Sequence, residues 1–132
     1  MAKVIQMSDG DGNVYPVGAT IGSNSNGHYI KFADGTLIQY GISVLTAPGS
    51  MSAASGVQGL YWATFTLTLP IAFVDNDYSI IATTRYQTGH PFACGSVPAS
   101  ETIATIAAYD FYARPNNDGT RKFFWQAIGR WK

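Results

Sequence analysis

The segment Tyr61–Leu69 alternates between two kinds of side chain. Large or apolar residues take every second position, namely Tyr61, Ala63, Phe65, Leu67 and Leu69. Trp62 and three threonines take the positions between them. A period of two with aromatic and β-branched residues is typical of a β-strand that turns one face to a core. No segment shows convincing helical spacing, so the sequence predicts an all-β fold.

Similar segments recur along the chain, separated by the glycine, proline, asparagine and aspartate residues that favour turns. They predict further strands at Val4–Met7, Tyr29–Phe32, Thr36–Val44, Tyr78–Gln87, Thr102–Ala113 and Lys122–Trp131. Asp34 and Gly35 lie between two of these strands and predict a hairpin. Loops are predicted at Leu45–Gly59, Thr88–Pro98 and Pro115–Gly119. Together these elements predict a small antiparallel β-sandwich of about six strands.

The first part of the chain differs in character from the rest. Residues 1–28 are rich in turn formers, with a tight turn predicted at Asp9–Asn13 and extended chain after it. Such a segment buries little of itself, so we expect residues 1–20 to attach to another protein. The predicted organisation is therefore an extended attachment segment, residues 1–28, followed by the β-sandwich, residues 29–132.

Composition limits the function classes. The chain has 132 residues, enough for one domain, and its eight Lys and Arg balance eight Asp and Glu. A net charge of zero argues against nucleic-acid binding through phosphates and against a polybasic membrane anchor, and it favours self-association. The apolar runs are too short to insert into a membrane, and the first residues lack a signal peptide's apolar stretch. The single cysteine, Cys94, indicates synthesis in a reducing cytoplasm.

Groups suited to catalysis are few: two histidines, one cysteine and one glutamate. His90 and Cys94 could form a thiol–imidazole pair, but nothing signals the oxyanion hole that such a pair needs, so a buried cysteine and a loop histidine are favoured. Asp75 and Asp77 flank a single residue, which favours a turn over a catalytic carboxylate pair. We therefore expect no enzyme activity and no cofactor.

Asp9, Asp11 and Asn13 imitate the beginning of a calcium loop. Val14 stands where that loop requires glycine, and Thr20 stands where it requires a bidentate glutamate. The pattern therefore favours a turn, and we expect no metal site.

Aromatic residues are abundant, with eight Tyr, seven Phe and three Trp. Rings interleaved with hydrogen-bonding groups suit sugars and protein partners, although most rings in a small domain belong to the core. The candidate glycan-binding residues are Arg85, Tyr86, His90, Tyr109, Asp110, Tyr112 and Arg114. Five of the eight basic residues lie from Arg114 onward, beside Phe123, Phe124 and Trp125. This cluster imitates a platform for single-stranded nucleic acid, but a charged hairpin edge is favoured because the net charge is zero.

Three motifs resemble the C-terminal domain of phage and prophage tail-fibre proteins. Gly27–Gly41 resembles the family pattern G-x-I-K-F-x-x-G-x-x-I-Q-W-G, with Tyr40 in place of the usual tryptophan. Leu67–Phe73 is similar to the family's x-F-P-I-A-F step, with leucine in place of the usual phenylalanine. Phe124–Gly129 is similar to the closing x-W-x-A-I-G. The motifs occur in the family's order and together span about residues 27–131.

The resemblance implies a small sandwich similar to the H-type lectins, of the kind that forms a homotrimer at a fibre tip and binds host-surface glycans. The beginning of the chain, Lys3–Val17, also resembles the start of short phage fibre proteins. The chain has no long repetitive shaft, so tail tip, baseplate and head fibre remain alternative places on the virion. Within such a trimer, the low-charge face of Trp62, Thr64, Thr66 and Thr68 and the small residues of Ser50–Gly59 would suit contacts between subunits.

The sequence therefore predicts a non-enzymatic virion adhesin, made in the host bacterial cytoplasm, that recognises host-cell surface carbohydrate. Its expected partners are two further copies of itself, other virion proteins through residues 1–20, and the host glycan. One alternative is a structural virion appendage, such as a head fibre, decoration or baseplate subunit, without a ligand of its own. Another is a glycan depolymerase, which the single glutamate disfavours because glycosidases need two placed carboxyl groups.

Overall fold

In a computed structural model, the chain forms antiparallel β-strands in two sheets. The structure describes residues 3–8, 10–12, 14–46, 52–53, 58–84, 93–110 and 120–132, and these contain ten strands and no helix. The strands are β1 (Lys3–Ser8), β2 (Val14–Asn24), β3 (Gly27–Phe32), β4 (Thr36–Thr46), β5 (Ser52–Ala53), β6 (Tyr61–Thr68), β7 (Ser79–Thr84), β8 (Ala93–Pro98), β9 (Ile103–Asp110) and β10 (Thr120–Arg130). The all-β prediction is confirmed.

One sheet has six strands in the order β1-β2-β3-β4-β10-β7, and the other has four in the order β5-β6-β9-β8. Their inner faces hold the core, in which the rings of Phe65 on β6 and Phe123 on β10 meet edge to face with centroids 5.1 Å apart. The predicted alternation of β6 is confirmed, because Ala63, Phe65 and Leu67 are buried while the residues between them face outward. A sandwich of two layers follows directly from such one-sided strands.

The predicted hairpin joins β3 to β4. Gly35 adopts a φ of 99°, which favours glycine, and its N–H donates to the carbonyl of Phe32 at 3.1 Å. The Asp34 carboxylate accepts a 2.8 Å hydrogen bond from the backbone N–H of Thr36. That bond lowers the pKa of Asp34 below its ordinary value of 3.8, because it stabilises the charged form.

The structure differs from the sequence prediction in the number of strands. Ala93–Pro98, predicted to lie in a loop, forms β8, and the stretch predicted as extended chain after Asn13 contains the long strand β2. β8 lies at the edge of its sheet, where Gly95 and Pro98 are tolerated because only one side of the strand must pair. The residues that suggested a loop therefore mark an edge strand.

Side chains of β8 join the two sheets along one side of the sandwich. The thiol of Cys94 donates to the carbonyl of Ala82, and the hydroxyl of Ser96 donates to the carbonyl of Ile80, each at 2.8 Å. The two carbonyls belong to β7, the edge strand of the other sheet. These bonds satisfy backbone groups that an open edge would leave exposed.

The three motifs of the sequence meet in one cluster. Gln39 on β4 is fully buried, and its amide donates to the carbonyl of Ile71 and accepts from the N–H of Ile71, both at 3.0 Å. Gly129 on β10 leaves room for the second motif, since a Cβ there would lie 2.6 Å from Tyr78 Cβ and 2.9 Å from Phe73 Cδ1. The motif residues therefore hold the connection between β6 and β7 against β4 and β10.

The N-terminal strands extend the larger sheet. β2 pairs with β3 through Ala19–Asn24, and it pairs with β1 between Val14 and Ile21 with one register shift, so Ala19–Ile21 have partners on both sides. Ala19 is buried, so the second half of β2 belongs to the packed structure. The prediction that residues 1–28 form a separate unit remains a prediction, and the sheet is hydrogen-bonded across its boundary.

Candidate functional site

A groove crosses the outer face of the six-stranded sheet. It consists of two depressions, of about 570 and 390 Å³, that share Tyr40, Phe124 and Trp125. The first depression is also lined by Asn24, Ser25, Gly27, His28, Gly41 and Ile42, and the second by Ile81, Thr83 and Gln126. We call these residues together the outer-face groove. Its volumes lie within the range of about 300–1,000 Å³ that is typical of ligand sites.

Strand register explains why these residues meet. Paired residues of antiparallel strands lie on the same face. His28 on β3 pairs with Tyr40 on β4, Tyr40 pairs with Gln126 on β10, and Gln126 pairs with Ile81 on β7. One row of side chains therefore crosses four strands. Beside it lies a second row, in which Phe124 on β10 pairs with Ile42 on β4 and with Thr83 on β7.

Aromatic rings dominate the middle of the groove. Tyr40 and Phe124 are each 41% exposed, so both rings present apolar surface to solvent although side chains of this kind are commonly buried. The His28 imidazole stacks on the Tyr40 ring with centroids 5.3 Å apart and planes 19° apart. The groove thus presents flat apolar surface beside polar ring atoms.

The floor of the groove is held in place by the core. Trp125 is 4% exposed, and its indole N–H donates to the hydroxyl of Ser43 at 3.1 Å. Gly27 has a φ of 140°, and a Cβ there would meet the Tyr40 carbonyl oxygen at 2.7 Å and the Trp125 ring at 3.0 Å. A Cβ on Gly41 would lie 3.2 Å from the same ring. The indole therefore lies against backbone that has no room for side chains.

The β2–β3 turn is fixed at the rim. The side-chain amide of Asn24 donates to the carbonyl of Pro70 at 2.6 Å, and its oxygen accepts from the N–H of Asn26 at 2.9 Å. Because both ends of the amide are engaged within the protein, this rim keeps its position without a ligand.

The groove is chemically neutral. None of its lining residues is an aspartate, glutamate, lysine or arginine. Its polar groups are an imidazole, a phenol, amides and hydroxyls, which donate and accept hydrogen bonds to neutral partners. Within the described ranges, no group of three or more His, Cys, Asp or Glu side chains is placed to hold a metal ion. This arrangement suits an uncharged ligand.

The sequence-predicted site falls largely outside the part of the chain that the structure describes. Arg85, Tyr86, His90, Tyr112 and Arg114 lie outside the described residues.

Two of the predicted residues, Tyr109 and Asp110, belong to β9. Tyr109 is half-buried and lines a shallow depression of about 260 Å³ on the outer face of the four-stranded sheet. Asp110 is 2% exposed, because consecutive strand residues face opposite sides. Its burial argues against a direct ligand contact, and the role of the other predicted residues remains a prediction.

Several strand ends lie together at one end of the sandwich. Thr84, the last residue of β7, pairs with Phe123 near the start of β10, and Ala93, the first residue of β8, pairs with Tyr109 near the end of β9. The strand residues that flank positions 85–92 and 111–119 therefore lie at the same end of the sandwich.

The structure also bears on the cysteine, the aspartate pair and the calcium-like pattern that the sequence disfavoured as functional sites. Burial raises the pKa of the Cys94 thiol, which is the opposite of what a nucleophilic cysteine needs. The Asp75 carboxylate accepts from the N–H of Asp77 at 2.9 Å, which confirms the predicted turn. The calcium-like pattern lies partly outside the described residues.

The outer-face groove is not among the sites predicted from the sequence. A usable signal exists in the hairpin, because once the Asp34-Gly35 turn sets the register, His28 must lie opposite Tyr40. A second signal is the outward-facing position of Phe124 between the buried residues Phe123 and Trp125. Large apolar residues on the solvent side of a strand indicate a surface with a partner.

No protein-family model matches the sequence, and no curated protein matches it significantly. Among solved structures, the fold is similar to that of a Pseudomonas aeruginosa R1 pyocin fibre fragment comprising C-terminal residues 323–701. The TM-score is 0.52 and the sequence identity 20%, over 84% of this chain and 28% of that chain. This chain thus spans little more than a quarter of the fibre fragment, and the similarity concerns the fold. No described segment is a helix that could cross a membrane.

Proposed function

We propose that this chain is a non-enzymatic receptor-binding protein of a bacteriophage-type fibre, and that it recognises carbohydrate on the host-cell surface. The observation that carries the proposal is the fold that 84% of the chain shares with the C-terminal fragment of a pyocin fibre. The neutral, aromatic character of the outer-face groove supports a sugar as the ligand, since aromatic rings bind the C–H face of a sugar while neutral polar groups bind its hydroxyls.

The proposed assembly is a homotrimer on the virion. The outward-facing residues of β6 are Trp62, Thr64, Thr66 and Thr68, which carry no charge. Exposed large apolar residues also occur on the other sheet, including Val44 and Ile128. Such surfaces support contact between subunits, because uncharged apolar area gains by leaving water. The number three rests on the family resemblance.

The proposed attachment element is residues 1–20. β1 pairs with β2 alone among the described strands, so its removal leaves the pairing of β2 with β3 intact. A chain lacking residues 1–8 should fold and trimerise but fail to join virions. Loss of folding in this variant would assign the first strand to the sandwich instead.

The ligand contacts proposed from the sequence remain candidates, with the exception that burial argues against Asp110. They are Arg85, Tyr86, His90, Tyr109, Asp110, Tyr112 and Arg114. The described strand ends support a cluster of connections at one end of the sandwich, where loops on a rigid scaffold commonly carry binding residues. Tyr109 is the one whose position is best suited to a direct test, because it lines an open depression.

The experiment is adsorption of the purified chain to host cells, combined with a glycan array. Binding that soluble host glycan competes away supports the adhesin. No binding to cells or glycans would favour the alternative of a structural virion appendage, for which the exposed apolar residues of both sheets would provide subunit contacts. Release of soluble sugar from capsule or lipopolysaccharide would instead indicate an enzyme.

A further inference from the structure

We propose that the outer-face groove is the carbohydrate site of this chain and that it holds a pyranose ring of a neutral sugar, with Tyr40 and Phe124 as the stacking surface. The proposal rests on the adhesin function proposed above and deepens it by naming the site and the sugar class. It places the site on the outer face of the six-stranded sheet rather than on the loop residues predicted from the sequence.

The stacking surface comes from residues that the fold leaves exposed. Tyr40 and Phe124 lie on the adjacent strands β4 and β10, line both depressions, and are each 41% exposed. The face of an aromatic ring is negative, so it attracts the polarised C–H groups on one side of a pyranose. Burying such a ring against a ligand also removes apolar surface from water.

Polar atoms surround this surface at both ends. His28 flanks Tyr40 in the first depression, and Gln126 and Thr83 line the second. An imidazole, an amide and a hydroxyl can each accept as well as donate, which matches the dual character of a sugar hydroxyl.

Charge narrows the sugar class. The lining residues include no carboxylate, ammonium or guanidinium group. A sialic acid, a uronic acid or a phosphorylated sugar would bury its charge here without a fixed counter-charge, and an unpaired charge is costly to remove from water. Neutral hexoses and N-acetylhexosamines carry no such cost.

The groove is preorganised, which limits the ordering cost of binding. The Ser43 hydroxyl anchors the Trp125 floor, Asn24 fixes the rim to Pro70, and Tyr40 and Phe124 stand on strands. Functional groups on strands are held more accurately than groups on loops.

The test uses the full chain and measures binding by saturation-transfer NMR and by titration of methyl glycosides. The neutral probes are the methyl glycosides of glucose, galactose, N-acetylglucosamine and N-acetylgalactosamine, and the acidic probes are those of glucuronic and sialic acids. Tyr40→Ala should weaken the best neutral probe by about tenfold, a size typical of an anchor residue. Tyr40→Phe should stay within about threefold of the unmodified chain, because stacking needs the ring.

Tyr109→Ala tests the rival site predicted from the sequence, and the groove assignment requires this variant to keep neutral-sugar binding. Ile103→Ala is the control, since it removes an exposed apolar side chain from the outer face of the other sheet, and it should leave binding unchanged. Gln126→Ala, which removes an exposed amide, provides a second variant if Tyr40→Ala does not fold, and it should weaken binding severalfold.

Three results would overturn the assignment of the groove while leaving the adhesin function intact. They are glycan binding that is lost in Tyr109→Ala but kept in Tyr40→Ala, a preference for the acidic probes, and binding unaffected by both groove variants. Dissociation of the oligomer by Tyr40→Ala, seen by light scattering, would show that a second copy occupies the groove. A chain that binds no cells and no glycans would overturn the adhesin function itself.

Discussion

Replacing the buried amide of Gln39 should destabilise the fold more than any change of volume explains. Gln39→Leu keeps a side chain of similar size but leaves the N–H and the carbonyl of Ile71 without their 3.0 Å partners. A buried group that loses its hydrogen bond costs about 1–3 kcal/mol. Ile71 is half-buried, so water compensates in part, and we expect a total loss of about 2–4 kcal/mol in the free energy of unfolding.

The assay is urea unfolding followed by tryptophan fluorescence, with a thermal melt in parallel. For a domain of this size the loss corresponds to a decrease in Tm of roughly 10 °C. Gln126→Leu is the control, because it makes the same chemical change at an exposed position of the neighbouring strand, and it should change stability by less than about 0.5 kcal/mol. Equal stability of Gln39→Leu and the control would refute the bidentate bond to Ile71.

Gln39→Glu tests the donor half of this pair. A protonated glutamate can donate to the Ile71 carbonyl, whereas a carboxylate cannot, and burial disfavours its charge. The pKa of the introduced glutamate should therefore be raised in the folded state. Its deficit in stability should be small below the unfolded-state pKa of about 4.3 and should grow as the pH rises above it. A deficit that does not vary with pH would contradict the proposed geometry.

Three further results are expected. The Thr36 N–H lowers the folded-state pKa of Asp34 below its ordinary value of 3.8. The carboxylate's contribution to the free energy of unfolding is therefore complete well above pH 3.8 and is lost as the pH falls through the folded-state pKa. In urea titrations, the stability advantage of the unmodified chain over Asp34→Asn should shrink on acidification. The Cys94 thiol should react with a disulfide reagent far more slowly in the folded chain than in urea, since burial raises its pKa, and equal rates would contradict its burial. Gly129→Ala should lower the free energy of unfolding by about 1–3 kcal/mol through overpacking, whereas Gly95→Ala, with nothing within 4 Å of the new methyl group, should be nearly neutral in the same melts.

The hairpin and the core strands could be predicted because their causes are local. The Asp34-Gly35 turn needs only two residues with the right backbone preferences, and the alternation of Tyr61–Leu69 follows from the pleat of a single strand. β8 could not be predicted in the same way. Its glycine and proline favour loops locally, and only its position at a sheet edge makes a strand acceptable.

The motifs that resemble tail-fibre proteins turn out to describe packing. Gln39, Phe73 and Gly129 come from three different motifs. Gln39 hydrogen-bonds to Ile71 and Gly129 lies against Phe73, so all three pack around the connection between β6 and β7. A pattern of this kind identifies the fold that needs those contacts. Exposed residues of the same motifs, among them Tyr40 and Phe124, line the proposed groove, but the pattern does not say which ligand they would bind.

The sequence by itself determined the fold class, the alternating core faces and the neutral charge, because each depends on residue type and on spacing along the chain. The tertiary structure decided which outward-facing residues meet. His28, Tyr40, Gln126 and Ile81 are far apart in sequence and become neighbours only through the pairing of four strands. Burial of Asp110 beside the half-exposed Tyr109 is decided in the same way, since the two faces of β9 differ only once one of them has a second sheet packed against it.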